Sequence, residues 1–396
     1  MRTIMSSSKF PRLMTVAAAF TLLAPLSCAT QSTRTTAQEP DWNPRVVVLR
    51  DAPTLRDVLD EADEHRVIFV GETHTRLDHH LVQLEVLKYL HRRHGDVAVG
   101  VEWFQYPVQE NLDAYLAGRI DEAEMLERTG YFERWRFDYR LYRPIVAYAK
   151  ANGIPLVALN APAELTRAIG DVGLDGLSAD LRARLPEAYD RSDAAYTTRV
   201  RESFEQHPAG SDKFQNFLDV MLTWDETMAE QAARHLRAHP GRRMVVMAGS
   251  GHVAYRSGIP KRLERRIGER TTVLLVGWDR ADGVEAADYV VMSEPRELPP
   301  AGLLGAFLGA ADGGVRILEL SSNSAIGDAG ILKDDVLLSI DDAAVDSFAA
   351  VKLALLDRAP GDKVTIRYRH RNWLGQEGEH STEVTLRGRM PPRGHP

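Results

Sequence analysis

Five short runs of β-branched and apolar residues, spaced by much longer stretches of helical pattern, restrict this chain more than any other feature of its sequence. They are Val67-Ile68-Phe69-Val70, Val97-Ala98-Val99-Gly100-Val101, Ile154 to Leu159, Met244 to Ala248 and Thr272 to Val276. Runs this uniformly apolar belong to strands covered on both faces, and the helical stretches supply the crossovers that parallel strands need. The expected body is therefore α/β, a doubly wound, mainly parallel sheet. An insertion from about Pro162 to Gly241 adds a helical subdomain, and Pro107 to Lys150 forms a second helical stretch. A length of 396 residues leaves room for two or three domains. With 44% hydrophobic and 27% charged residues the chain is too apolar for disorder and too charged for a polytopic membrane protein. Its 49 basic residues against 56 acidic ones offer no basic surface, so no nucleic-acid partner is expected.

The residues immediately after each run carry the chemistry. Val70 leads into Gly71-Glu72-Thr73-His74, Val101 into Glu102-Trp103, Leu159 into Asn160-Ala161-Pro162, Ala248 into Gly249-Ser250-Gly251-His252, and Val276 into Gly277-Trp278-Asp279. In an open parallel sheet the carboxyl ends of the strands line one edge, where ligands bind. The five clusters should converge there, and Gly-x-x-His occurs twice among them. Gly71 and Gly249 are expected at sharp turns with positive φ. His74 and His252 are either turn histidines satisfied by backbone or ligands of a cleft. Glu102, directly after a buried strand, needs a cation, a metal or a hydrogen-bond partner. In the helix expected from Asp212 to His239, Asp225 falls inside the apolar stripe of Phe214, Phe217, Leu218, Met221, Met228, Ala229, Ala232 and Leu236. It serves either the cleft or a structural cap or buried ion pair. Glu226 points about 100° away and is expected to be solvated.

Tyr131, Phe132, Trp135, Phe137, Tyr139 and Tyr142 fall within twelve residues, interleaved with Arg134, Arg136, Arg140 and Arg143. Flat rings beside guanidinium groups suit a planar anion such as a porphyrin with propionates. Packing of a helical subdomain behind a solvated arginine face accounts for the same pattern.

The single cysteine, Cys28, excludes an intramolecular disulfide and CxxC-type sites. Before it, basic residues precede an apolar run from Leu13 to Leu26, which is shorter than the roughly twenty residues a membrane span needs and reads as an export signal. Leu26-Ser27-Cys28 resembles the end of a bacterial lipoprotein signal, although Pro25 stands where leucine is preferred. The alternative is ordinary signal cleavage that leaves a free thiol. Residues 1–28 are thus a signal ending at the lipidation site Cys28, and residues 29–44 a Thr/Ser/Gln/Pro-rich tether.

As an ordered set, Val70 to His74, Val101-Glu102-Trp103, Tyr142-Arg143-Pro144 through Asn160-Ala161-Pro162, Trp224 to Ala229, and Gly249 to His252 resemble the ChaN family of the Tiki superfamily over residues 45–293. Those are bacterial iron-regulated lipoproteins that bind haem. The resemblance implies a membrane-anchored protein of the cell envelope facing the periplasm, and dimers that hold stacked haem through tyrosine. Tyr142 is the first choice of ligand, with Tyr139 and Tyr106 behind it and Arg140 and Arg143 beside it. The superfamily also holds proteins resembling metal-dependent proteases. For these it implies a divalent ion on His74, His252, Glu72 and Glu102, with Asp225 as a further ligand or orienter and a free glutamate as general base.

Residues 300–389 resemble a PDZ domain of the bacterial type. Leu303-Leu304-Gly305-Ala306 matches the carboxylate-binding loop, and Ser324 to Ile331 with Asp335-Val336-Leu337 matches the segment after it. Ser324 replaces the usual proline, and Asp334 the usual glycine. Such a domain takes a peptide or protein C-terminus by strand addition. The prolines between Glu294 and Pro300 are expected to hold it apart from the first domain, the alternative being a docked PDZ domain that binds no peptide and only packs on the first domain.

Overall fold

The computed structural model describes residues 52–205, 213–277 and 283–389. Cys28, the signal and the tether lie outside them, as do Trp278 and Asp279. The five expected strands are present as β1 (Val67–Glu72), β2 (Val97–Gln105), β3 (Leu156–Asn160), β4 (Arg243–Gly249) and β5 (Thr272–Val276). A sixth, β6 (Tyr289–Val291), adds to the edge. All pair in parallel, in the order β3-β2-β4-β1-β5-β6.

Alternation along each run divides the side chains between two cores. Ile68, Val70, Val99 and Val245 pack on one face, with the helix Leu77–His94 and the aromatic segment; Val67, Phe69, Met244 and Val246 pack on the other, under the helices Phe214–Ala238 and Ile259–Ile267. Every residue of β1 and β2 is buried, which is why the runs lack polar interruptions. The insertion after β3 is helical as expected, with helices Ala163–Val172, Ala194–Glu205 and Phe214–Ala238.

One expectation on the long helix fails. Glu226 is not solvated but wholly buried, as is Asp225. The helix is covered on more than one side, and Glu226 meets Arg262, Arg265 and Arg266 there.

The C-terminal sheet is antiparallel, comprising β7 (Ala306–Ala311), β8 (Gly314–Leu320), β9 (Val336–Ile340), β10 (Ala343–Ala344), β11 (Lys363–Arg371) and β12 (Glu377–Thr385). Its order is β12-β11-β9-β8-β7, with β10 on β9 and the helix Phe348–Ala354 beside β7. The two departures from the PDZ pattern are absorbed locally. Ser324 caps the short helix Ala325–Asp328 through its hydroxyl, and Asp334 takes the left-handed conformation, φ 70°, that glycine would occupy.

The prolines do not hold the domains apart. Arg143 pairs with Asp357, Arg140 donates to the carbonyl of Pro299, and Ala349 joins the core cluster of the α/β domain. The apolar inner face of the helix Phe348–Ala354 needs cover, and the segment around Tyr131–Arg134 supplies it.

Candidate functional site

The centre of the sheet explains where the polar clusters meet. β4 lies between β2 and β1, and Glu72 of β1 is in register with Gly249 of β4. The chain leaves β1 toward β2 and β3 and later returns through β4 to β5, so the strand order reverses here, where a crevice opens in doubly wound sheets. Glu102 lies within the wholly buried β2, three residues short of its end, and its Oε2 accepts from the Gly249 N–H at 2.7 Å. Ligand atoms of Glu72, His74 and Glu102 all lie within 4.8 Å of one another.

His74 donates through Nδ1 to Glu72 Oε1 at 2.5 Å, which leaves Nε2 as the free ligand nitrogen. Its ring is packed by Trp135 at 4.9 Å and Phe137 at 4.7 Å, and 27% of its side chain remains exposed. Burial pulls its pKa down, but the hydrogen bond to Glu72 and the charge of Glu102 outweigh this and raise it. Glu72 Oε2 is buried without a hydrogen-bond partner. An orphaned carboxylate oxygen in a dry site is costly, and a cation relieves it.

His252 stands on the other side of Glu102, its Nε2 3.4 Å from Oε1. Its Nδ1 donates to Asp225 Oδ1 at 2.6 Å, and Asp225 Oδ2 accepts from the Tyr196 hydroxyl at 2.7 Å. Burial disfavours the imidazolium, but Glu102 and Asp225 prevail and the pKa is pushed up to about 9. A proton therefore sits on His252 at neutral pH, and a cation taken up here would compete with it. Asp225 is the orienter of His252 rather than a member of the three-residue donor set. Tyr196, which the sequence does not single out, completes this chain; its surroundings of Asp, Ala and Thr carry no signal for it.

The two glycines act through space and not through φ. Neither has positive φ. A Cβ on Gly249 would stand 2.8 Å from His74 Cε1 and 3.1 Å from Nε2, so only glycine lets β4 pass under that ring. Gly71 is pressed in the same way against Leu275 and Val253.

The residues expected to hold a porphyrin are placed differently. Tyr142 has no exposed surface, packs on Trp103 and His80, and donates its hydroxyl to the His74 carbonyl at 3.3 Å. Tyr139 is equally buried and donates to Glu122. Burial raises both phenols well above their ordinary pKa, which opposes a phenolate ligand. Arg143 is held by Glu122 and Asp357, and Arg140 by Asp138. The aromatic segment is thus mostly core, with Trp135 and Phe137 half-buried beside His74 and Tyr106 half-buried at the end of β2. Asn160 reaches the same edge but caps its own turn at the Ala161 N–H.

A doubly wound α/β domain with a histidine–carboxylate cluster at its switch point, joined to a peptide-binding type of β domain, is the class these features define. The chain belongs to the family described as haem-binding uptake, Tiki superfamily, ChaN, whose model matches residues 58–263; a PDZ domain model matches residues 302–384. The resemblance read from the ordered motifs is borne out. Among solved structures, that of ChaN of Campylobacter jejuni, described as showing cofacial haem binding, covers 61% of this chain and 92% of its own at 17% identity and a TM-score of 0.50, which shows a shared fold. Protein RETICULATA-RELATED 5, chloroplastic, of Arabidopsis thaliana is 26% identical over 231 residues, 53% of this chain. The chain spans 31% of that relative's length.

Proposed function

We propose that this protein binds haem or haem-derived iron at the carboxyl edge of its parallel sheet, and that its PDZ domain engages the C-terminus of a peptide or protein partner. The observation that carries the reading is His74 itself, in a chain of the ChaN family: a carboxylate-held imidazole with a free Nε2, partly exposed between two half-buried aromatic rings. A histidine whose far nitrogen donates to a carboxylate is oriented and made more basic, as would suit it to hold iron. Tyr142 and Tyr139 do not fit that role, because their hydroxyls are buried and committed. When bound, the iron would accept the imidazole lone pair and supply the redox chemistry. The chain's own residues orient the imidazole through Glu72 and keep water from one side of it through Trp135 and Phe137. Arg136, exposed beside Trp135, would meet a carboxylate group of a planar ligand, whereas Arg134, also exposed, is engaged by Gln105 and Glu164. Absorption spectroscopy of the signal-free protein titrated with haemin tests this, a saturable Soret shift being the expected result.

The second reading is a divalent-metal hydrolase. The buried Glu72 Oε2, which accepts no hydrogen bond and has His80 Nε2 at 4.0 Å, inside a three-donor set favours it. Glu72, His74 and Glu102 would hold the ion, and His252, held by Asp225, would bear or release a proton at the cleft. Stoichiometric zinc, manganese or iron in the purified protein, lost in Glu102→Gln, would favour this reading over haem; absence of metal would remove it.

We propose further that residues 1–28 are a lipoprotein signal and that Cys28 anchors the protein to a bacterial envelope membrane, a reading supported by the apolar run Leu13 to Leu26 ahead of Ser27-Cys28. In fractionated cells Cys28→Ala is expected to move the protein from the membrane to the soluble fraction. Unchanged membrane association would refute the anchor.

A further inference from the structure

A cavity of about 450 Å³ lies where the two domains meet. Gly305, Phe307, Phe348 and Lys352 line it from the PDZ side. Phe132, Asp138 and Arg140 line it from the α/β domain. β7 is the outermost strand of its sheet, so its free edge is open to an added strand, and β7 residues line the cavity. Phe307 and Phe348 are 63% and 45% exposed there, apolar area that a bound chain would cover.

The charge of the lining indicates what that chain brings. Arg140, Lys352 and Arg389 face the cavity against one carboxylate, Asp138, which leaves an excess of positive charge for an anionic chain end. Arg140 spends Nε and one N–H of Nη2 on Asp138, and one N–H of Nη1 on the Pro299 carbonyl. One N–H on each terminal nitrogen is left. The far wall is firmly held: Tyr139 and Arg143 both bond Glu122, and Arg143 also reaches Asp357 of the PDZ domain.

We propose that the peptide groove of this protein is a two-domain site, in which Arg140 and Phe132 of the α/β domain contact the end of a peptide with a free carboxylate and an apolar last residue. The inference rests on the reading of the PDZ domain as a peptide binder, and goes beyond it by placing determinants of recognition outside residues 300–389. Arg140 receives the carboxylate together with the backbone of the Leu303–Ala306 loop, and Phe132 packs on the last side chain.

The test uses the whole signal-free chain. A random library of heptapeptides displayed with free C-termini is selected on it, and the tightest binder is synthesised with a fluorescent label, both as the acid and as the amide. By anisotropy, Arg140→Ala is expected to weaken the acid at least tenfold and the amide much less, with Arg140→Lys between parent and alanine. Phe132→Leu is expected to weaken the acid severalfold, measured at a temperature well below its melting transition so that the small stability loss of a core change does not enter. If both Arg140→Ala and Phe132→Leu bind within twofold of the parent, the two-domain groove is wrong and the PDZ reading stands. Equal losses on acid and amide overturn the role of Arg140 toward the carboxylate. If selection on the folded protein yields no binder at all, the peptide-binding reading fails, and this proposal with it.

Discussion

Replacing Glu226 by glutamine should cost the folded protein about 3 to 5 kcal/mol, the range for breaking a buried ion pair from one side. Glu226 has no exposed surface, and its carboxylate is ion-paired with Arg262 at 3.2 Å, Arg265 at 3.0 Å and Arg266 at 2.6 Å. Arg262 is itself only 2% exposed, stacks on Tyr196 at 4.4 Å and donates to the carbonyls of Ser257 and Gly258. Without the carboxylate, Arg262 and Arg266 remain as buried cations with no water to turn to. Urea melts of the two proteins check this, and a loss below about 1 kcal/mol would contradict the burial of the cluster. A double change, Glu226→Leu with Arg262→Leu, should cost less than the sum of the two single ones, because it removes both charges together. The cluster also bears on the site, since Tyr196 lies between Arg262 and Asp225 and so connects it with His252.

The second large effect concerns His74. His74→Ala should weaken haemin binding by a hundredfold or more, since it removes the more exposed of the two carboxylate-held imidazoles at this edge. Glu72→Gln should weaken binding by about 10- to 100-fold, the usual effect of changing the group that orients a metal-bound histidine. Tyr142→Phe is expected to leave the Soret titration unchanged while costing about 1 kcal/mol of stability, because its buried hydroxyl donates to the His74 carbonyl and is not free for a ligand. That contrast separates a histidine site from a tyrosine site within one set of proteins.

The sheet and its reactive edge are legible in the sequence because burial on both faces leaves an unbroken apolar run, and because a strand end must turn polar where it meets a crevice. Glu72, His74, Glu102 and His252 stand out in this way, and the structure brings them together. β6 is not legible: three partly exposed residues at an edge carry neither an apolar run nor a clear alternation. The aromatic segment is ambiguous because short helical turns break any period, so Tyr142 and Tyr139 in the core look like Trp135 and Phe137 beside His74. Glu226 misleads because a single apolar stripe assumes one covered face, whereas arginines from the helix Ile259–Ile267 neutralise a second. The sequence leaves the docking of the PDZ domain as an alternative only, for a related reason. Prolines report a stiff connection, but the need to cover the helix Phe348–Ala354 appears only once that helix has a neighbour.

The most direct test of the central claim is one spectrophotometric titration of haemin into the signal-free protein, run in parallel on the parent, His74→Ala and Tyr142→Phe. The account predicts a saturable Soret shift in the parent and in Tyr142→Phe, and none over the same range in folded His74→Ala. A shift retained in His74→Ala and lost in Tyr142→Phe, or no shift in the parent, would contradict it.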